Sequence, residues 1–191
     1  MTMRIGFFGD SFIAGIGDPE GKGWVGRVCE RAGITAINFG VGGDTGEDIL
    51  ARWRREAEGA HLDRIVFSFG ANDCLLTERK RIRVGQVDRL KIAKTLMVDA
   101  ARVAPVLFVS PLPIAGDKAA TTRIGEMARQ LITFTRLHKT PYVNIFEAVN
   151  AASMWHEEAM AADGAHPGAM GYELVASLVE ESPEWQAWLK D

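Results

Sequence analysis

Four short segments of the sequence carry side chains that suit acyl transfer. They lie at positions 9–12 (GDSF), 40–45 (GVGGDT), 70–73 (GAND) and 163–167 (DGAHP). Together they offer a hydroxyl, an amide, a carboxylate, an imidazole, and glycines whose N–H groups a ligand can approach. A serine hydroxyl becomes a good nucleophile when a neighbouring base takes its proton, and a neutral amide can stabilise a developing oxyanion. These residue types predict hydrolytic chemistry if the fold brings the segments together.

Asp163 and His166 form the most informative pair. They are three residues apart in a turn that contains Gly164, so the carboxylate can reach one imidazole nitrogen and leave the other facing a nucleophile. Taken singly, Ser11 is typical of a helix N-cap or turn residue, and His166 of a solvated turn. The pair predicts a base together with the carboxylate that orients it.

Other interpretations of the same segments remain open. Thr45 stands where a dinucleotide fingerprint has its third glycine, and Thr45-Gly46 replaces the Gly-Lys of a P-loop. Neither fingerprint is complete, but a flavodoxin-like module that binds a nucleotide or phosphate is the alternative from another functional class. Asn72 is also typical of a left-handed turn position. Cys74 follows it closely, but no base lies nearby in sequence, so we expect a buried thiol rather than a nucleophile.

Five apolar runs predict the strands that position these segments. We expect strands at Arg4–Phe8, Thr35–Phe39, Arg64–Phe69, Val106–Ser110 and Tyr142–Phe146. Several runs are almost continuously apolar, which is typical of strands buried on both faces. Strands that alternate with helical patterns predict a parallel α/β sheet with helices on both sides. Ligands bind beyond the carboxyl ends of such strands, where we expect the four segments to meet.

Helical periodicity predicts the layers that cover the sheet. The expected apolar faces are Ile49, Leu50 and Trp53; Val87, Leu90, Ala93, Met97 and Ala100; Ile124, Met127, Leu131 and Phe134; and Met170, Leu174, Val175 and Leu178. A further helix is predicted from about Gly23 to Ala32, where Trp24 fits either the core or the substrate cleft. Ser182 followed by Pro183 predicts the start of a last helix through Leu189.

Composition excludes several classes of protein. The 191 residues include 22 Lys+Arg and 25 Asp+Glu, for a net charge of -3, and 47% are hydrophobic. Such a chain is not disordered, and its charge argues against a nucleic-acid partner. The two cysteines form neither a disulfide framework nor a metal-binding spacing. Without a signal peptide or a membrane-length apolar run, we expect one cytoplasmic domain, 1–191, with no membrane span, metal or cofactor. The oligomeric state is left open.

In their order and spacing, the four segments resemble the motif blocks of the SGNH hydrolases, also called the GDSL esterase/lipase family. GDSF resembles the serine block, GGDT the glycine block, GAND the G-x-N-D block and DGAHP the D-x-x-H block. The resemblance implies a three-layer α/β/α flavodoxin-like fold with a five-stranded parallel sheet. It also implies ester hydrolysis through an acyl-serine. Phe12 stands where the family name has leucine, a position expected to be an apolar plug.

The resemblance also assigns roles to individual residues. Ser11 would be the nucleophile, His166 the general base, and Asp163 the carboxylate that orients it. The N–H of Ser11, the N–H of Gly43 and the side-chain amide of Asn72 would form the oxyanion hole. The implied substrate is a small acyl ester, with a thioester or an O-acetylated carbohydrate as alternatives. We expect short acyl chains, because the sequence contains no lid-sized insertion.

Overall fold

The centre of the protein is a parallel sheet of five strands. The computed structural model describes residues 2–190 and shows the strand order β2-β1-β3-β4-β5. The strands are β1 (Arg4–Gly9), β2 (Thr35–Gly40), β3 (Arg64–Ser68), β4 (Val106–Val109) and β5 (Tyr142–Val143). All four pairings are parallel. This order is flavodoxin-like, and the expected fold class is confirmed.

Helices cover both faces of this sheet. They are α1 (Ser11–Ala14), α2 (Gly23–Ala32), α3 (Gly46–Ala57), α4 (Gln86–Ala100), α5 (Lys118–Leu137), α6 (Phe146–Ala151), α7 (Ser153–Ala161), α8 (Ala169–Glu181) and α9 (Pro183–Trp188). Helix α2 packs against α8, whereas α3, α4 and α5 pack in series. The chain reverses its direction of winding between β1 and β3, and the carboxyl ends of those two strands therefore border the crevice where this fold binds ligands.

Aromatic side chains fill much of the core. On one face of the sheet Phe8, Phe67 and Phe108 form a row, with ring centroids 5.5 Å and 5.4 Å apart. Phe7 points to the other face, where its ring packs edge-on against Trp24 at 5.8 Å. Burying each such side chain stabilises the fold by roughly 1.5–3 kcal/mol. Trp24 is completely buried, so it belongs to the core and not to a cleft.

The structure corrects the predicted end of the fifth strand. β5 stops at Val143, and Phe146 is the first residue of α6 instead of the last residue of a strand. The N–H of Ile145 donates to the hydroxyl of Ser110 at 3.1 Å, because the backbone has already left the ladder with β4. The other four strands end within one residue of their predicted bounds. Helices α6 and α7, absent from the predicted set, lie between β5 and the segment of His166.

Two predicted core positions are exposed. Val87 is 64% exposed and Met170 is 58% exposed. The buried stripe of α4 begins at Arg89, and that of α8 at Gly171 and Tyr172. Val87 lies two positions before Arg89, and Met170 two before Tyr172. Each is therefore turned by about 200° from the stripe.

The last helix begins as the sequence predicts. Ser182 caps α9 through a hydrogen bond from the N–H of Trp185 to its hydroxyl at 3.2 Å, and Pro183 follows as the first helical residue. Within residues 2–190, no helix is long and apolar enough to cross a membrane. The cytoplasmic location stays a prediction.

Candidate active site

Ser11 is the first residue of α1, directly after β1. The carboxylate of Asp10 caps this helix by accepting the N–H of Phe12 at 3.0 Å. Ser11 is 6% exposed, and its hydroxyl makes no hydrogen bond to any side chain or carbonyl within residues 2–190. The turn from strand to helix thus leaves an uncommitted hydroxyl at the carboxyl edge of the sheet.

Asp163 holds His166 by both side chain and backbone. Oδ2 of Asp163 lies 2.6 Å from Nδ1 of His166, and Oδ1 accepts the N–H groups of Ala165 and His166 at 2.9 Å each. Partial burial acts to raise the pKa of the Asp163 carboxyl. The hydrogen bonds from His166 and Ala165 outweigh it and hold that pKa well below its usual range. The carboxylate is charged at neutral pH, and Nδ1 faces it while Nε2 is left for another partner.

The segment of His166 packs against the helix that begins with Ser11. The His166 ring lies 5.4 Å from the ring of Phe12, measured between centroids. Gly17, shortly after α1, has φ +94, and a Cβ there would lie 2.8 Å from Cβ of His166 and 2.6 Å from the carbonyl oxygen of Pro167. Only glycine fits this approach without displacing the loop. The structure therefore brings the first and the last predicted segments together.

Phe12 also connects to a buried indole. Its ring lies 5.8 Å from Trp155 of α7, and the Trp155 Nε1–H donates to the carbonyl of Pro113 at 3.2 Å. Phe12 is 4% exposed and packs beneath the His166 ring. Phe12, which stands where the family name has leucine, therefore places an aromatic ring beneath the imidazole.

Unpaired N–H donors lie around the serine segment and the glycine segment. Gly43 has φ +86 in the turn after β2. Neither the backbone N–H of Gly43 nor that of Ser11 has an acceptor among the described residues. Asn72 uses one amide hydrogen to donate to the carbonyl of Asp44 at 3.0 Å, which joins the GAND segment to the glycine segment. Its φ is not positive, so the left-handed turn role is not observed.

Arg52 is a site residue that sequence reasoning missed. Its Nε donates to the Asp44 carboxylate at 2.7 Å, and its Nη2 donates to the carbonyls of Gly9 at 3.0 Å and Phe39 at 2.8 Å. The guanidinium therefore ties the ends of β1 and β2 to the loop that carries Gly43. No sequence signal indicates this role, because its partners are backbone carbonyls supplied by the tertiary fold.

Two buried carboxyl groups frame the same edge. Asp73 is fully buried and accepts the N–H of Gly46, at the start of α3, with both oxygens at 3.1 and 3.0 Å. Burial raises the pKa of Asp73 to about 6 and that of Asp10, which is 2% exposed, to about 7. Asp10 is thus partly neutral near pH 7, whereas Asp73 is mostly ionised there. The protonation of Asp10 limits the negative charge beside Ser11, where an anionic intermediate would form.

Cys74 does not have the properties of a nucleophile. It is fully buried and its thiol is a free cysteine in contact with Arg89. Burial raises the pKa of Cys74 to about 11, so the reactive thiolate is scarce at neutral pH. Within residues 2–190, no group of three or more His, Cys, Asp or Glu side chains is placed to hold a metal ion.

Comparison with known families supplies the assignment that the geometry favours. The family model described as "GDSL-like Lipase/Acylhydrolase family" matches residues 7–174, which include all four segments. The chain belongs to the GDSL-like lipase/acylhydrolase family. This match confirms the resemblance expected from the sequence. Because the family is described by its lipases and acylhydrolases, and a relative is an acetylxylan esterase, this member is placed among the hydrolases.

Relatives of this GDSL-family chain include proteins with and without a described activity. It is 30% identical to the uncharacterized protein YpmR of Bacillus subtilis, over 91% of this chain and 78% of YpmR. It is 23% identical to an acetylxylan esterase of Geobacillus stearothermophilus, over 96% and 98% of the two chains. The structure resembles a lipase/acylhydrolase from Enterococcus faecalis with a TM-score of 0.77 and 25% identity, covering 97% of each chain.

Proposed function

We propose that the protein is a serine esterase that cleaves small carboxylic esters through an acyl-Ser11 intermediate. One observation carries the proposal. His166 is held by Asp163 at Nδ1 with Nε2 left over, and its ring packs on the helix that begins with the uncommitted Ser11 hydroxyl. Nucleophile, base and orienting group are the three parts that acyl transfer needs. Solved variants of the acetylxylan esterase that are described as catalytic replace a serine, an aspartate and a histidine, the same three residue types.

The proposed reaction has two steps. Nε2 of His166 takes the Ser11 proton as Oγ attacks the ester carbonyl. The imidazolium then gives that proton to the leaving alcohol as the C–O bond breaks. In the second step a water molecule attacks the acyl-serine, His166 takes a proton from it, and Ser11 regains its hydrogen as the acid leaves. Asp163 stays ionised throughout and stabilises the imidazolium.

The proposed oxyanion hole consists of the Ser11 N–H, the Gly43 N–H and the second amide hydrogen of Asn72. The two backbone donors have no acceptor in residues 2–190, and Asn72 is fixed by its bond to Asp44. Such prepositioned donors stabilise the transition state more than the bound substrate. Arg52 is proposed as a positioning residue, because its hydrogen bonds fix the loop that carries Gly43.

Asn72→Ala tests how much the Asn72 amide contributes to stabilising the oxyanion. Removing one donor is expected to lower kcat by ~10²–10³-fold with little change in KM. The same variant loses the bond to the Asp44 carbonyl, which predicts a lower melting temperature as well. Asn72→Asp is expected to be at least as damaging to kcat, because a carboxylate would face both the oxyanion and that carbonyl. Near-wild-type turnover in the Asp variant would remove Asn72 from the proposed hole.

We propose short acyl groups, acetyl to butyryl, as the preferred substrates, with an O-acetylated carbohydrate as the second candidate. The acetylxylan esterase of Geobacillus stearothermophilus favours the carbohydrate alternative. A panel of acetyl, butyryl and palmitoyl esters, an acetyl thioester and acetylated xylo-oligosaccharides separates these substrates. Higher kcat/KM on palmitoyl esters than on acetyl or butyryl esters would contradict the proposed chain length.

Hydrolysis of 4-nitrophenyl acetate tests the activity itself. Ser11→Ala and His166→Ala are each expected to lower kcat by ~10⁴-fold or more. Ser153→Ala and His138→Ala are matched controls that replace the same residue types away from the site. If the wild-type protein cleaves no ester but nucleotides raise its melting temperature, the nucleotide-binding alternative replaces this proposal.

A further inference from the structure

A short basic hairpin projects from the chain just after the GAND segment. It spans residues 75–83, which we call the basic hairpin. Leu76 and Ile82 form an antiparallel bridge, the N–H of Thr77 donates to the carbonyl of Arg81 at 2.7 Å, and that of Arg83 to Leu75 at 2.9 Å. Lys80 completes the three-residue turn at φ +56, the left-handed position that such turns require.

This hairpin concentrates positive charge in a chain that is negative as a whole. Its cations are Arg79, Lys80, Arg81 and Arg83, and its one acidic residue is Glu78, in a protein of net charge -3. All five side chains are exposed. None of the four cations has a carboxylate oxygen within 4.0 Å among residues 2–190, unlike Arg31 and Arg52. The charge of the hairpin is therefore available to a ligand.

The hairpin is fastened beside the proposed oxyanion hole. The Arg83 guanidinium donates from Nη2 to the carbonyl of Gly43 at 3.1 Å, and the N–H of Val84 donates to the carbonyl of Asp73 at 3.1 Å. These bonds connect its base to the glycine segment and to the GAND segment. The base of the hairpin, and the charge of Arg83 with it, thus lies beside the proposed oxyanion hole.

Alternation of side chains along the hairpin sets the direction of its charges. Leu76 and Ile82 lie on one face and are 47% and 41% exposed. Arg81 and Arg83 are two positions apart and share the opposite face, because successive side chains of a strand point to opposite sides. Arg83 on that face contacts the Gly43 loop, so Arg81 projects from the side of the hairpin that faces the site.

Nearby carboxylates balance only part of this charge. Hydrogen bonds with Thr45 lower the pKa of Asp48, and the charge of Arg83 adds to this effect, so Asp48 partly offsets that charge. Burial raises the pKa of Asp73, but Arg83 acts against this rise, so Asp73 also offsets part of the charge. Asp44 is paired with Arg52 instead. Arg79, Lys80 and Arg81, with Glu78 as the one acidic residue of the hairpin, keep a net positive field. Fields of this kind raise the association rate of oppositely charged substrates.

We propose that the basic hairpin binds a phosphate or carboxylate group on the alcohol portion of the substrate, so that the preferred substrate is an acyl ester of an anionic alcohol. The inference rests on the proposed esterase function. The charge is assigned to the alcohol because the proposed acyl groups, acetyl to butyryl, are themselves uncharged.

Three acetate esters test this preference: 2-acetoxyethyl phosphate, 4-acetoxybutanoate and the uncharged 2-methoxyethyl acetate. The kcat/KM for at least one anionic ester is expected to exceed that of the neutral ester by about 10-fold. The stronger of the two anionic esters identifies the group that the hairpin recognises. Raising the salt from about 0.01 M to about 1 M shortens the screening length from roughly 30 Å to roughly 3 Å and is expected to abolish the preference.

Charge-reversal variants test whether the basic hairpin causes the preference for anionic esters. The double variant Arg79→Glu/Arg81→Glu is expected to lower the ratio of anionic to neutral kcat/KM by about 10-fold. The control Arg55→Glu/Arg136→Glu changes the net charge equally at the exposed last turns of α3 and α5, on the opposite edge of the sheet, and should leave the ratio unchanged. Melting temperatures verify folding, and the salt dependence of the wild-type protein decides the question if the hairpin variant does not fold.

The outcomes separate this inference from the proposed function. Equal kcat/KM for all three esters, or a ratio that the control variant changes as much as the hairpin variant, overturns the inference and leaves the esterase intact. If the wild-type protein cleaves none of the three esters, the inference is wrong, and if it also fails with 4-nitrophenyl acetate, the proposed esterase function is wrong as well.

Discussion

Replacing Asp10 by asparagine should change the pH dependence of stability in a defined direction. Asparagine keeps the size of the side chain and the oxygen that accepts the N–H of Phe12. In the native state, burial raises the pKa of Asp10 from 3.8 to about 7. The unfolded chain therefore releases this proton near pH 4, whereas the folded protein keeps it until about pH 7. Unfolding becomes more favourable as the pH rises between these values.

The size of the effect follows from the width of that window. Each pH unit inside it lowers the free energy of unfolding by about 1.4 kcal/mol, so about three units amount to at most about 4 kcal/mol. Asp10→Asn removes this loss and is expected to be increasingly more stable than the wild type from pH 4 to pH 7. Above pH 7 the difference should be constant.

Urea unfolding of both proteins at pH 4, 5, 6, 7 and 8 measures this difference. Asp18→Asn, measured at pH 2 and 3 as well, is a comparison of opposite sign. Although burial opposes it, the hydrogen bond from Arg27 holds the pKa of Asp18 at about 2, so its contribution is present above pH 4 and is lost as the pH falls toward 2. A difference between wild type and Asp10→Asn that does not change from pH 4 to pH 7 would refute the reasoning.

Three further comparisons test the parts of the site. His166→Ala should lower kcat on acetate esters more than Asp163→Ala, because the aspartate variant keeps the base. Loss of the carboxylate can itself cost ~10⁴-fold. A larger loss in Asp163→Ala than in His166→Ala would contradict the assigned roles. Arg52→Ala should lower kcat/KM by about 10-fold and the free energy of unfolding by about 2 kcal/mol, because charge-assisted bonds to Gly9, Phe39 and Asp44 are lost. Arg55→Ala on the same helix is its control, and equal effects would exclude a positioning role. Gly17→Ala should lower kcat by about 10²-fold by displacing the His166 loop. Gly21→Ala, also at positive φ but with open space around it, should leave kcat unchanged, and similar kcat in both variants would show that Gly17 has no effect on the site.

Local patterns in the sequence predicted the features that depend on neighbouring residues. Continuous apolar runs indicated the strands, and the bounds of four of them agree within one residue. The contact between Asp163 and His166 follows from a three-residue spacing around Gly164. The cap of α9 by Ser182 is local in the same sense.

Features that depend on tertiary contacts could not be predicted in this way. Arg52 binds the carbonyl of Gly9, which is 43 residues away in the chain. The short β5 ends because the backbone turns toward Ser110, a contact between distant segments. The turn of the basic hairpin contains Lys80 at the left-handed position instead of glycine or asparagine, so it has none of the usual turn signals. By contrast, the meeting of the glycine segment with Asn72 could be predicted, because each follows a strand of the predicted parallel sheet and the carboxyl ends of such strands lie at one edge.

Covalent trapping of Ser11 tests the central claim most directly. An organophosphate such as diisopropyl fluorophosphate reacts with a serine only when a base activates it. Intact-mass measurement with peptide mapping is expected to show a single adduct on Ser11, formed in step with the loss of esterase activity. The adduct should be absent from Ser11→Ala and strongly slowed in His166→Ala. An adduct on another residue, or full esterase activity after complete labelling of Ser11, would contradict the account.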